Sequence, residues 1–262
     1  MYLAFRIKVM SHLICDFSVT KFLFFKNQVS ICLKSVPCLR KLHVDSCDRI
    51  DASILEDLKD HPQLEEVYIN LNKSKGNEGQ VKLSGNWKRL KRLGLMYCGI
   101  VDMEMIGKFT NLTFLSLVNC FDVSDELIQG LSRCSELVQT LKYLLLPGCK
   151  ITDTSGLYLK RFSLIMLDVS STIISDKFFE NLLLLSNGES SRICHSVQHL
   201  CLQEVNITMD SLKAIAEFCG NICRLDLNKS PHFKNTSYNE IQKQIFGTRR
   251  IIFDKRYFSR DE

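Results

Sequence analysis

The chain has 262 residues, is 45 % hydrophobic and 24 % charged, and carries a formal net charge of +5. No window of about 18 residues is free of charge, so the sequence offers no helical membrane span. The positive excess is modest, and no nucleic acid is expected as a partner.

The first residues, beginning Met-Tyr-Leu-Ala-Phe-Arg, are apolar but broken by Arg6, Lys8, Asp16 and Lys21. A secretory signal needs a cleaner apolar core and a small-residue cleavage site, and neither is present. Scarce arginine makes a mitochondrial presequence a weak alternative. Val19-x-x-Phe22-x-Phe24-x-x-Asn27 fits the frame that follows, so residues 1–38 read as an N-terminal cap or a degenerate repeat.

From there one pattern recurs. It stands as Leu39-x-x-Leu42-x-Val44-x-x-Cys47, Leu90-x-x-Leu93-x-Leu95-x-x-Cys98, Leu112-x-x-Leu115-x-Leu117-x-x-Cys120 and Leu141-x-x-Leu144-x-Leu146-x-x-Cys149. Weaker copies start at Leu64, Leu164, Val197 and Ile222. Periods of roughly 20–30 residues mark a solenoid, in which one unit cannot bury its own apolar face and neighbours must stack. The second and third apolar positions lie two residues apart, so on a strand both point inward while the residues between them point out. Val123-Ser124-Asp125, Ile151-Thr152-Asp153, Ile174-Ser175-Asp176 and, one residue out, Ile207-Thr208-Met209-Asp210 follow the strands. Their Ser and Thr suit helix N-caps, and the acidic residue suits the first turn. Leu127/Leu131, Leu157, Phe178/Leu182 and Leu212/Ile215 give each helix an inward stripe.

Irregularities are local. Lys-Ser-Lys-Gly-Asn-Glu-Gly after Asn72 carries no helix signal and reads as a loop on the outer side. Val138-Gln139-Thr140 reads as a short insertion, and residues 187–196 as a mobile polar loop. Residues 39–230 make up the repeat domain of about eight repeats. Residues 231–262 form a C-terminal cap with a helix near Tyr238–Phe246, an extended Ile251–Phe253 and a solvated basic tail.

The copies resemble leucine-rich repeats, and the ninth-position Cys is similar to the cysteine-containing subtype found in F-box/leucine-rich-repeat and ribonuclease-inhibitor-like proteins. The resemblance implies an α/β leucine-rich-repeat horseshoe with an inner parallel sheet and outer helices. It further implies a protein-interaction module that serves as the substrate-recognition subunit of an SCF-type ubiquitin ligase, with ligase components among its partners. Residues 1–38 hold Pro37 but no F-box pattern, which keeps two alternatives open: a non-ligase scaffold or inhibitor, and a mitochondrial assembly factor.

Chemistry is not evident. His-Glu-x-x-His, Gly-x-x-x-x-Gly-Lys-Ser/Thr, Gly-x-Gly-x-x-Gly and Gly-x-Ser-x-Gly are all missing from the sequence. Neither an enzyme nor a cofactor is expected. Cys194, His195, His199 and Cys201 are soft ligand types, but the frame divides them between a loop and a strand, and metal is not expected there. Of the twelve cysteines, Cys47, Cys98, Cys120 and Cys149 stack at one repeat position, which reads as free thiols in a reducing cytoplasmic or nuclear setting. The concave face carries the functional expectation. Its ends are polar (Lys41, His43, Asp45, Ser46; Arg224, Asp226, Asn228, Lys229), whereas Met96, Tyr97, Phe114, Val118, Tyr143, Leu145, Pro147 and Met166 line the middle. Exposed apolar side chains with polar neighbours mark a partner-binding surface, with Arg92 and Asp168 orienting the partner from its edges.

Overall fold

The computed structural model describes the backbone of residues 5–10, 13–20, 31, 33–34, 36, 38–45, 54–59, 61–71, 80–83, 87–101 and 104–253. The chain packs as two units, Met1–Val123 with Arg133–Leu141, and Ser124–Ser132 with Lys142–Glu262.

In the first unit the strands are β1 (Phe5–Met10), β2 (Leu13–Thr20), β3 (Lys41–Asp45), β4 (Glu66–Asn70), β5 (Gln80–Lys82), β6 (Arg92–Met96), β7 (Gly99–Val101) and β8 (Phe114–Val118). β2, β3, β4, β6 and β8 lie side by side and parallel, one per repeat, and β1 closes the outer edge antiparallel to β2. The second unit holds β9 (Tyr143–Leu145), β10 (Met166–Asp168), β11 (His199–Cys201) and β12 (Arg224–Asp226), again parallel and in order. Its helices are α1 (Asp125–Arg133), α2 (Ser155–Leu159), α3 (Asp176–Leu183) and α4 (Met209–Phe218).

The repeat frame is decisive for the core. All three apolar positions of all eight copies, from Leu39 to Leu227, are 2 % exposed or less. In-register neighbours such as Leu42, Val67, Leu93 and Leu115 therefore form continuous inward columns. Burying a leucine side chain contributes about 2 kcal/mol, so the columns dominate the stability of both units. The fold is an α/β leucine-rich-repeat solenoid.

Cysteine at the ninth position has a visible task. Cys120 donates its thiol to Leu95 O of the preceding repeat at 3.4 Å, and Cys98 to Met96 O at 3.2 Å. Burial pushes the Cys120 thiol up to about 12, so it stays protonated and serves as a small donor in the interior. Cys47 lies outside the described residues.

The Ile-Ser/Thr-Asp motif does more than cap. Ser175 accepts from Lys177 N and Thr208 from Asp210 N, as N-caps should. The aspartates, however, reach into the next repeat. Asp125 accepts from Thr152 N at 2.9 Å and from the Thr152 and Ser155 hydroxyls. Asp153 accepts from Ser175 N at 2.6 Å and Ser175 Oγ at 2.8 Å. Asp176 accepts from Thr208 N at 2.8 Å, from Thr208 Oγ1 at 2.9 Å and from Ser211 Oγ. These rungs satisfy the orphan donors of one helix start with the carboxylate of the previous one. Among the described residues Asp210 bonds no later repeat and instead pairs with Lys213 at 3.0 Å.

Several expectations need correction. Leu157 was expected inward but is 41 % exposed, because α2 is a single short turn that presents Gly156 and Leu159 to its neighbour instead. The loop expected after Asn72 lies outside the described residues; just beyond it β5 pairs with β7 in a small parallel sheet. The short insertion at Val138–Thr140 takes helical form, within the helix Ser135–Thr140. The second half of the 187–196 segment is anchored rather than mobile. Ser191, Ile193 and Cys194 are buried, Ser191 Oγ donates to Leu182 O at 2.6 Å, and Arg192–His195 form a 3-10 turn. At the N-terminus, Phe17 and Val19 stand opposite Leu42 and Val44. The repeat frame there is thus offset from the Val19-Phe22-Phe24 reading, whose later positions fall outside the described residues.

After Pro231 the chain forms a helical turn, Tyr238–Ile241, that continues as a π-turn, Gln242–Phe246. Ile252 then bonds alongside β12, donating to Cys223 O at 2.8 Å. Arg249 belongs to the cap rather than to a solvated tail: its guanidinium donates to Ala216 O at 2.9 Å and Cys219 O at 3.1 Å, closing the C-terminus of α4.

Candidate functional site

Alternation along each strand leaves three columns on the open face, opposite the leucine core. In the first unit, register aligns Lys41, Glu66, Arg92 and Phe114 in one column. His43, Tyr68, Gly94 and Ser116 make the second, and Asp45, Asn70, Met96 and Val118 the third.

Glu66 is the hub of the first column. Its carboxylate bonds His43 Nε2 at 2.9 Å and meets Lys41 Nζ at 3.6 Å and Arg92 Nε at 3.8 Å. The His43 hydrogen bond holds the Glu66 carboxyl below the usual carboxylate range; burial opposes this, and the charges of His43, Lys41 and Arg92 add to it. Arg92 lies over the Phe114 ring with its guanidinium carbon 4.3 Å from the centroid, a cation–π contact that holds both side chains in place. One position earlier on each strand, Glu65 sits between Arg40 and Lys91.

Gly94 shapes the middle column. A Cβ there would stand 2.5 Å from Tyr68 Cδ2, so only glycine lets the Tyr68 ring lie across the strand. From that position Tyr68 donates its hydroxyl to Met96 Sδ at 2.6 Å. Asn70 donates to Asp45 at 2.8 Å and ties the third column at its outer end. Tyr97 follows β6 with φ of 55°, and Asn119 follows β8 with φ of 51°. Left-handed backbone costs a non-glycine residue of order 1 kcal/mol, and here the turn leaving each strand imposes it.

Arg92, Met96, Tyr97, Phe114 and Val118 are all half-buried, and strand register brings Arg92, Met96, Phe114 and Val118 together on this face. Tyr143 and Pro147 are likewise half-buried, on the open face of the second unit. Three expected residues are not available to a partner. Met166 is 1 % exposed, and Leu145 and Asp168 are 8 % exposed. The frame places them on the open face, in register with Tyr143, His199, Cys201 and Asp226. Exposure, however, depends on the neighbours in a column and not on direction alone: Tyr143 and His199 flank Met166 from both sides. Asp168 accepts from Ser170 N at 2.9 Å and shapes its own turn; burial raises its carboxyl above the usual range, and the nearby Asp226 adds to this.

Glu66 and Tyr68 did not stand out in the sequence. Both occupy outward positions of the weak copy that starts at Leu64, and listing that copy's outward residues beside those of its neighbours would have found them. Among the described residues no group of His, Cys, Asp or Glu is arranged to hold a metal, and Cys194 is buried against Ser191 and Leu183 O. Cys98, Cys120, Cys149, Cys194, Cys201 and Cys219 are buried free thiols, and Cys38, Cys134 and Cys223 are free thiols nearer the surface. Among the described residues no helix is long and apolar enough to cross a membrane.

No protein-family model and no curated protein matches the chain. Solved structures do. A plant ice-binding protein matches at 13 % identity with a TM-score of 0.52, over 87 % of this chain and 73 % of that one. The likeness is one of fold. An internalin of Listeria monocytogenes matches at 15 % identity and a TM-score of 0.41, over 93 % of this chain and 87 % of that one. The plant peptide hormone receptor RGFR1 in complex with RGF2 matches at 16 % identity and a TM-score of 0.47, over 81 % of this chain and 31 % of that one.

Proposed function

We propose that this chain is a non-catalytic protein-recognition module that holds its partner on the open face of β4, β6 and β8. The observation that carries the reading is the patch formed by Met96, Tyr97, Phe114 and Val118, half-exposed on a face that has no core to fill. Apolar and aromatic side chains left there, with polar residues of the neighbouring strands beside them, match the centre and rim of an interface. Tyr143 and Pro147 form a second surface in the other unit. Residues 39–230 act as the binding domain between terminal caps.

The finer reading is that the module selects substrates for an SCF-type ubiquitin ligase in the cytoplasm or nucleus. It rests on the likeness of the Cys-bearing repeats to F-box/leucine-rich-repeat proteins, and the free, buried thiols suit a reducing compartment. A scaffold or inhibitor that holds one stable partner is the alternative.

Affinity capture with the full chain beside Phe114→Asp tests the reading. The variant is expected to keep its circular-dichroism spectrum, because Arg92 can pair with the new carboxylate, and to lose the partner that the parent recovers. Identical recovery by both baits would remove the docking surface. Ligase components in the parent eluate support the ligase reading; a single stoichiometric protein without them favours the scaffold.

A further inference from the structure

We infer that the partner of this face presents an acidic side chain to the β3–β6 end and an apolar one to the β6–β8 end, as an extended acidic–apolar protein segment. The inference rests on the docking surface proposed above and adds the chemistry of what docks.

Charge on this face is layered. The carboxylates Glu65 and Glu66 have side chains only 17 % and 20 % exposed, whereas those of Arg40, Lys41, His43, Lys91 and Arg92 are 40–59 % exposed. On the open face, Glu66 thus lies beneath Lys41, Arg92 and His43, while Glu65 pairs with Arg40 and Lys91 one position earlier along the strands. The acids hold the bases in place: Arg40 Nε bonds Glu65 at 3.0 Å, and Arg92 is fixed between Glu66 and the Phe114 ring. Positioned cations with the outer edges of their donors still facing solvent form a ready receptor for a further carboxylate.

The cations are confined to the start of the strands. The third column carries Asp45, Asn70, Met96 and Val118, with no cation. A phosphodiester chain would meet Asp45 and apolar side chains there, so the face does not continue as a track for nucleic acid. A protein segment fits better. Arg92 and Met96 are the first and last residues of β6, about 13 Å apart at the rise of a strand. An extended segment with Asp or Glu four residues from a Leu, Met or Phe spans that distance, placing the acid over Lys41 and Arg92 and the apolar residue on Met96 and Val118.

The test is selection from a display library of random peptides on the full chain, followed by anisotropy titration of the enriched peptides. Enrichment of an acidic residue four positions from an apolar one is expected. Affinity should fall at least about tenfold in Lys41→Gln/Arg92→Gln and weaken with added salt, since both cations would meet the same carboxylate. The neutral variant avoids facing Glu66 with new negative charge, and its circular-dichroism melt should match the parent. Peptides without acidic bias that lose affinity in Phe114→Asp but not in Lys41→Gln/Arg92→Gln overturn the charge assignment and leave the docking surface standing. Peptides indifferent to both variants, or no enrichment at all, overturn the surface as well. A single-stranded oligonucleotide that binds the parent and is lost in Lys41→Gln/Arg92→Gln would replace the peptide with nucleic acid and overturn the inference.

Discussion

Asp176→Ala should lower the unfolding free energy by about 3 kcal/mol. The carboxylate accepts from Thr208 N, Thr208 Oγ1 and Ser211 Oγ, all in the next repeat. Its loss strands the amide of Thr208 at the start of α4 together with two hydroxyls. Hydrogen bonds to a charged acceptor contribute about 1.5–3 kcal/mol each, but three on one group do not add in full. Asp210→Ala is the matched control: among the described residues that carboxylate makes an exposed pair with Lys213, and its loss should stay within about 0.5 kcal/mol. Urea denaturation followed by circular dichroism reads both. The rung also has a pH signature. Burial works against the Asp176 charge, but the bonds from Ser211 and Thr208 outweigh it and hold the carboxyl below its ordinary range. A depressed folded-state value gives stability that is present above the unfolded value, about 3.9, and is lost as pH falls through the folded one. Parent and Asp176→Ala should therefore converge in stability in strong acid.

Gly156→Val should cost about 3 kcal/mol by the same measurement. A Cβ at this position would stand 2.6 Å from Phe178 O, 2.9 Å from Asn181 Cβ and 3.1 Å from Leu182 N. Two of the three obstacles are backbone atoms of α3, so no rotamer change relieves the contact. Only separation of α2 from α3 does, and that pulls the buried Phe178 and Leu182 away from their neighbours. Gly130 provides the contrast. It lies inside α1 with nothing within 4 Å of a new Cβ, so Gly130→Ala should stabilise by roughly 0.5–1 kcal/mol through helix propensity. Opposite signs for two helical glycines would show that close helix approach, and not glycine content, sets the tolerance.

The inward half of this fold is legible in the sequence because it is written in a local code. Leu115 and Leu117 are two residues apart, a strand makes them face the same way, and stacking makes that way the core. The caps at Ser175 and Thr208 follow from equally local rules. What escaped involves pairs separated by a whole repeat. The bond from Thr208 to Asp176 joins two residues that each look like ordinary first-turn residues, and only repeat stacking brings them together. Burial of Met166 is of the same kind, since it is set by Tyr143 and His199 on the flanking strands. At the candidate site, Phe114 and Met96 were visible as apolar residues at outward positions. Glu66 and Tyr68 were not, because their importance comes from His43, Arg92 and Gly94 across the sheet.

The open face around Met96 is expected to face solvent in the free chain and to be covered when a partner docks. Methionine oxidation read by mass spectrometry, on the chain alone and on its complex with the partner recovered by capture, addresses it residue by residue. Met96 should oxidise readily in the free chain and be protected at least about tenfold in the complex, while Met166 resists in both states because neighbouring strands already cover it. Equal oxidation of Met96 with and without the partner would mean that the partner docks elsewhere.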